Sequence, residues 1–268
     1  MRLDATTRAL VTGASRGIGR ALAVALARRG ATVGLLARST PELEALAAEL
    51  SGGLERHVLL PADVGDREAV NAVTAQFRER TGGLDLVVAN AGIAHYGPFA
   101  DLAPERADAM TRVNWLGTLH TVQAGLPHLL ARSAGHVVIV SSGAGLRSFP
   151  SAAVYGATKA AQRGFGEALR HELDGSGVGL TMVYPGEIST SLHDHETASM
   201  PDWYRGGPDA VPAAQLAEKV LAAVEKDAAA LYHPPFIRLL GAAHGVSPRL
   251  GDRLLRRLRG ATAAPRLD

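Results

Sequence analysis

The chain has 268 residues, 47% hydrophobic and 20% charged, the balance of a globular protein with a full core. No cysteine is present, which excludes a disulfide framework, a thiol nucleophile and a cysteine-based zinc site. The net charge of +2 is unevenly spread: residues 236–268 hold seven arginines against two aspartates, while residues 1–235 carry a slight acidic excess, so the body does not fit a nucleic-acid-binding surface.

The opening MRLDATTRALVTG contains no secretory apolar region and enters a strand almost at once. No apolar run approaches the ~18–20 residues that a bilayer span requires. A cytoplasmic protein is expected. Short apolar runs then alternate with longer helical patterns. Strands are predicted over 9–12, 32–36, 57–61, 84–89, 136–141, 179–184 and 229–232. Several are apolar on successive residues (LVVA, VVIV), as strands buried on both faces of a parallel sheet are. Helices are predicted over 16–29, 41–50, 67–80, 104–130, 152–173 and 213–226. In the first of these Ile18, Leu22, Ala25 and Leu26 share a face, and Gly30 offers a stop. This alternation argues for a doubly wound α/β fold with helices on both faces of one parallel sheet. It forms a single domain over residues 1–235. Residues 236–268 are read as a basic, helical C-terminal extension.

The first strand runs into Thr12-Gly13-Ala14-Ser15-Arg16-Gly17-Ile18-Gly19. Glycines at a strand-to-helix turn let the backbone approach a diphosphate where free N–H groups and the helix dipole favour anions. The spacing is G-x-x-x-G-x-G, and a glycine-rich turn without a ligand remains open on this motif alone.

Farther on, an apolar run, HVVIV, leads into Ser141 and Ser142, at the strand end where open α/β sheets place ligands. Tyr155 follows thirteen residues after Ser142, and Lys159 four residues after that. On a helix, positions i and i+4 share a face. An ammonium beside a phenol favours its ionised form and makes it a usable general acid/base. Lys159 is one of only three lysines beside 25 arginines, so this chain, strongly biased to arginine, keeps a compact ammonium here. Taken alone, the pair is equally compatible with an ordinary surface pair.

TGASRGIG, Asn90-Ala91-Gly92, Asn114 in RVNWLG, Ser142, Tyr155-Gly156-Ala157-Thr158-Lys159 and Pro185-Gly186 occur in the order and spacing of one family. Over about residues 5–232 the chain resembles the classical short-chain dehydrogenase/reductase family. The resemblance implies a Rossmann-type, seven-stranded sheet and a catalytic set of Asn114, Ser142, Tyr155 and Lys159. It implies that Tyr155 exchanges a proton with the substrate oxygen and that Lys159 lowers the tyrosine pKa and meets the nicotinamide ribose. Ser142 would hydrogen-bond the substrate oxygen, and Asn114 would hold a water that links Lys159 to solvent. A buried amide bracing a helix is the other reading of Asn114. The family often has a further asparagine before Asn90; here Ala89 stands there.

The same resemblance assigns Gly13, Ser15, Arg16, Gly17, Ile18, Gly19, Asn90, Ala91, Gly92, Tyr155, Lys159, Pro185 and Gly186 to the cofactor. Asp63 and Val64 match the adenine-contacting pair, and Ile188 and Thr190 match the segment that meets the nicotinamide carboxamide. An acidic residue after the second strand would select NAD. Here that strand ends Leu36-Ala37-Arg38-Ser39, with Arg38 where the carboxylate would stand and Arg16 in the glycine loop. Two guanidinium groups suit a 2′-phosphate, so NADP(H) is expected.

Residues 187–212 match the family's mobile substrate loop. His193 and His195 flank Asp194 there, but the spacing fits no helical metal site and hydride chemistry needs none, so no metal is expected. His95, Tyr96, Leu146, Phe149, Met200, Trp203 and Tyr204 are candidate pocket residues, mostly apolar, and suggest a hydrophobic alcohol or ketone. In the extension, Leu250, Leu254, Leu255 and Leu258 form an apolar stripe with Arg249, Arg253, Arg256, Arg257 and Arg259 around it. Such a helix can dock on a partner subunit, cover the pocket or make peripheral contact with an anionic membrane. The expected protein is an NADP(H)-dependent oxidoreductase interconverting a carbonyl and a secondary alcohol, assembled by resemblance as a homo-tetramer or homo-dimer. A 3-oxoacyl-thioester reductase and a non-catalytic NADP(H)-binding regulatory or scaffold protein are the alternatives.

Overall fold

A computed structural model describes residues 1–190, 192 and 210–258, with the backbone alone for 254–258. The elements run β1 (Arg8–Thr12), α1 (Gly17–Arg28), β2 (Thr32–Ala37), α2 (Thr40–Glu49), α3 (Gly53–Arg56), β3 (Val58–Pro61), α4 (Arg67–Thr81) and β4 (Leu86–Ala89). Then come α5 (Pro104–Met110), a π-helical segment (Thr111–Leu116), α6 (Gly117–Ala131), β5 (Gly135–Val140), α7 (Ala153–Glu172), β6 (Val178–Pro185) and β7 (Ile188–Ser189). Last are β8 (Val211–Pro212), α8 (Ala213–Glu225), β9 (Ala230–His233), α9 (Phe236–Val246) and α10 (Pro248–Leu258).

Seven strands form one parallel sheet in the order β3-β2-β1-β4-β5-β6-β9. After β3 the chain returns to the other side of β1, so the strand order reverses between β1 and β4, the position where such sheets open a crevice at their C-terminal edge. Alternate residues serve opposite faces. Ala9 and Val11 of β1 pack with Leu22 and Leu26 of α1 and with Leu216 and Val220 of α8. Leu10 between them packs with Phe77 of α4, Val122 and Leu129 of α6 and Leu169 of α7. Phe77 is fully buried and lies over Gly34, where an added Cβ would come within 2.8 Å of its ring. Burying such a side chain contributes roughly 2–3 kcal/mol. Each strand is thus apolar on both sides, which is why the runs do not alternate.

Helix ends follow local chemistry. Asp66 caps α4 by accepting from the Ala69 N–H at 3.0 Å, and Gly82, at φ 74°, lets the chain leave in the left-handed conformation. Gly30, at φ +84°, follows the end of α1 in the same way.

Several boundaries differ from the sequence-based expectation. The strand expected from residue 84 begins at Leu86; Asp85, just before it, is held by backbone bonds to Arg8 and His136 and by carboxylate bonds to Arg8 and Arg132. The single helix expected over 104–130 is three segments, α5, the π-helical turn and α6. The Asn114 side-chain amide bonds both the N–H and the C=O of Ile93, and the backbone carbonyl of Asn114 accepts from Thr118 and Gln162, so the extra residue of a π turn is accommodated there. The pair β7 and β8 joins the two ends of segment 187–212, with the Val211 N–H donating to the Glu187 carbonyl at 3.1 Å. Most of that segment, including His193, Asp194, His195, Met200, Trp203 and Tyr204, lies outside the described residues, as does Arg259.

Candidate functional site

The glycine turn sits at the C-terminal edge of β1. Gly13 has φ +66° and Gly17 φ +56°, conformations that disfavour a side chain. A Cβ on Gly19 would lie 2.5 Å from Asn90 Nδ2 and 2.7 Å from the carbonyl carbon of Gly13. The turn is latched to β4 from below. The Thr12 hydroxyl donates to the Val88 carbonyl (3.1 Å) and accepts from the N–H groups of Asn90 (3.0 Å) and Ala91 (3.1 Å). Asn90 Nδ2 donates to the Thr12 carbonyl at 2.9 Å. Helix α1 begins with Arg16 as N-cap, without a side-chain cap bond or an acidic residue in its first turn. Its first N–H groups are left for an anion, which is what a diphosphate requires.

A cavity of about 960 Å³ lies over this turn. Of the residues expected at a cofactor, Gly13, Ser15, Arg16, Gly17, Ile18, Arg38, Asp63, Val64, Asn90, Ala91, Gly92, Tyr155, Lys159, Pro185, Gly186, Ile188 and Thr190 line it. Gly19 is buried beneath the loop and acts by its lack of a side chain. At one end Arg16 and Arg38 are exposed, and Glu42 of α2, which sequence reading passed over, lines the cavity with them. At the other end stand Ser142, Tyr155 and Lys159, each buried.

Ser142 stands two residues past β5 and caps the short turn that starts at Gly143, its Oγ accepting from the Ala144 N–H at 3.1 Å. Tyr155 and Lys159 project from the first turns of α7, with Lys159 Nζ 5.8 Å from the centre of the tyrosine ring. Burial pushes the Tyr155 phenol above its ordinary range, against a lowering hydrogen bond with Ser142. The Lys159 ammonium donates to the Val140 carbonyl at 3.1 Å, and burial governs both groups. The same burial pulls Lys159 down to about 8.

Asn114 does not line the cavity. Its side chain bonds the N–H of Ile93 (2.8 Å), the carbonyl of Ile93 (3.0 Å) and the hydroxyl of Thr158 (3.1 Å). Its carbonyl accepts from Thr118 Oγ1 and Gln162 Nε2, both at 2.8 Å. The geometry is that of a brace between the Ile93 loop, the π turn and α7. Gln162 was missed by sequence reading, although it stands three residues after Lys159 on the same helix. Ser141, another omission, bonds the Lys159 carbonyl through its hydroxyl at 2.8 Å. On the substrate side His95 lines the cavity. Tyr96 stacks on Phe149 at 6.1 Å and tilts against Tyr155 at 5.9 Å.

The extension closes this side. Ile237, buried on α9, lies against Gly143 and Gly186: a Cβ on either would come within 3.4 Å and 2.8 Å of it. Leu146 meets Gly241, and Arg147 is paired with Asp252 of α10.

A parallel sheet of this order, with a glycine turn at its switch point and an anion-ready helix behind it, defines the class of dinucleotide-binding α/β proteins. The family model for short chain dehydrogenases matches residues 7–201. An uncharacterized oxidoreductase of Myxococcus xanthus is 41% identical over 197 residues, which are 72% of this chain and 76% of that protein. Glycine betaine reductase ATRR of Emericella nidulans is 40% identical over 184 residues, 69% of this chain, but those residues span only 14% of that much longer protein. The solved structure of a Burkholderia cenocepacia short chain dehydrogenase in complex with NADP is 28% identical with a TM-score of 0.79, covering 96% of this chain and 99% of that one. A Burkholderia phymatum member in complex with NAD shares the fold, at 24% identity and a TM-score of 0.84, over 93% of this chain and 96% of that one. The chain belongs to the short-chain dehydrogenase/reductase family of oxidoreductases.

Proposed function

We propose that this protein is an NADP(H)-dependent oxidoreductase that interconverts a carbonyl and a secondary alcohol on a hydrophobic small molecule. The observation that carries the reading is the convergence of Ser142, Tyr155 and Lys159 at one end of a cavity whose other end holds Arg16 and Arg38. The residues present fit a dinucleotide: the glycine turn lacks side chains where one would intrude, and the uncapped start of α1 suits a diphosphate. When bound, the nicotinamide supplies or accepts the hydride. In reduction the phenol of Tyr155, kept protonated by burial, gives its proton to the substrate oxygen. Ser142 donates a hydrogen bond to the same oxygen as charge develops there. Lys159 sets a positive charge beside the phenolate that remains, and Asn114 holds the Ile93 loop and α7 in register as a positioning residue. Tyr96 and Phe149 supply an apolar wall next to the phenol.

Arg16 and Arg38 favour the 2′-phosphate of NADP(H) through charge-assisted hydrogen bonds. Glu42 stands on the side of NAD, because a carboxylate accepts from a free ribose hydroxyl and repels a phosphate. Two cations against one anion favour NADP(H). Comparing kcat/KM for NADPH and NADH tests this, and a clear preference for NADH would overturn it. The chemistry is tested with a panel of ketones, aldehydes, steroids and 3-oxoacyl thioesters, read by loss of reduced-nicotinamide absorbance. Turnover in the wild type and none in Tyr155→Phe, with NADPH binding kept, is the expected result. NADPH binding without turnover across the whole panel would favour a non-catalytic role. The catalytic unit is assigned to residues 1–235 and a homo-oligomer is expected, with the exposed Leu116 and Leu130 available for a helix-face contact. Light scattering tests the latter.

A further inference from the structure

Eight large apolar side chains stand exposed among the described residues, and four of them, Phe236, Leu239, Val246 and Leu250, fall within one short stretch of α9 and α10. Phe236, Leu239 and Val246 are spaced i, i+3 and i+10, so they share one face of α9. That face is not the one that holds the helix to the protein. Ile237 and Gly241 do that, against Gly143, Gly186 and Leu146. The exposed row therefore rides on a firmly docked helix. Val246 is 83% and Leu239 65% exposed, far more than their packing partners.

Within α9 and α10 the unpaired charge has one sign. Residues 236–258 contain a single carboxylate, Asp252, and it is paired with Arg147 of the body. Arg249 and Arg253 are exposed on α10, while Arg238 of α9 stands over the Tyr232 ring, 6.0 Å from its centre. A second copy docking on this face by two-fold symmetry would bring a second set of these arginines into the same interface, and like charges brought together oppose association. An anionic lipid surface meets both features at once, since it takes up apolar side chains below its headgroups and attracts cations above them. No helix among the described residues is long and apolar enough to cross a membrane, so the contact would be peripheral.

We propose that the exposed face of α9, with Arg249 and Arg253 of α10, docks this protein on an anionic membrane surface. Ile237, on the buried side of the same helix, packs against Gly186 of the cavity wall, so the docked protein would hold its site close to the lipid phase.

The test is co-sedimentation of the full chain with vesicles of phosphatidylcholine alone and of phosphatidylcholine with phosphatidylserine, at low and high salt. The wild type is expected to pellet with the anionic vesicles, to stay in solution with the neutral ones, and to be released by salt. Arg249→Gln with Arg253→Gln should weaken binding by about fivefold per arginine. Leu239→Asp with Val246→Asp should abolish it, with circular dichroism and NADPH binding unchanged. Wild-type protein that stays in solution with anionic vesicles overturns the proposal by itself, whatever becomes of the variants. So does a folded Leu239→Asp/Val246→Asp protein that pellets like wild type. If the vesicles leave the wild type in solution and sedimentation velocity gives a dimer that the same double variant dissociates, the face is a contact between copies instead.

Discussion

Among the described residues no carboxylate pairs with the buried Lys159, and replacing it with methionine isolates what that burial costs. Its pKa falls from 10.5 to about 8 through burial. At about 1.4 kcal/mol per tenfold change, this gap means the charged form is disfavoured by ~3 kcal/mol on folding. Below pH 8 the lysine is protonated in both folded and unfolded chains, and the penalty is present in full. Between pH 8 and 10.5 the unfolded chain holds more protons than the folded one, so wild-type stability rises with pH and the penalty fades. Lys159→Met has no such titration. It does leave the Val140 carbonyl without its donor, an offset of about 1 kcal/mol that does not change with pH. Urea unfolding of the cofactor-free wild type and variant at pH 7, 8, 9 and 10 gives the two curves. The stability of the wild type relative to the variant should climb by about 2.5 kcal/mol from pH 7 to pH 10. A difference that stays constant across that range would refute the claim that Lys159 is held as a desolvated ammonium.

Other perturbations follow from the same geometry. Gly19→Ala drives a methyl group into the Gly13 backbone and the Asn90 amide, an overpacking of about 1–3 kcal/mol. NADPH affinity should drop at least about tenfold in a fluorescence titration, and unchanged affinity would contradict the cradle. Burial alone would push the Asp85 carboxyl up, but its bonds to Arg8 and Arg132 outweigh burial and hold it below its ordinary value. Its stabilisation is present above pH 3.8 and is lost as pH falls through the lower, folded value. Asp85→Asn should therefore cost about 1.5–3 kcal/mol at pH 7 and converge with wild type in acid urea titrations. Ile237→Ala removes the contact of α9 with Gly143 and Gly186, for about 2–4 kcal/mol in urea unfolding and a lower kcat/KM.

Much of this protein can be read along its chain because the determinants are local. Unbroken apolar runs such as LVVA announce a sheet covered on both faces, and β1 to β6 fall within a few residues of expectation. The glycine turn needs left-handed backbone at Gly13 and Gly17 and close approach at Gly19, demands that only glycine meets, so it too is written in the sequence. The i,i+4 spacing put Tyr155 and Lys159 on one face, and they are found there.

What tertiary structure decided are the partners across the chain. Asn114 finds Ile93 and Gln162 only once α7 lies beside the π turn, and no helical period reveals that a brace and a π turn belong together. Glu42 reaches the Arg38 end of the cavity from the next helix, while the sequence signal was sought at the strand end. The proton balance of the site was likewise undecided by sequence. Spacing brings an ammonium to a phenol, but the burial that raises the phenol and lowers the amine is a property of the whole assembly. The apolar stripe in the extension was read from the leucines of α10, yet the exposed row on α9 emerges only when packing takes Ile237 inward and leaves Phe236, Leu239 and Val246 outside. Backbone propensity and side-chain spacing act within a few residues and are legible one by one. Desolvation and long-range hydrogen bonds depend on which surfaces meet, and only the folded chain brings those together.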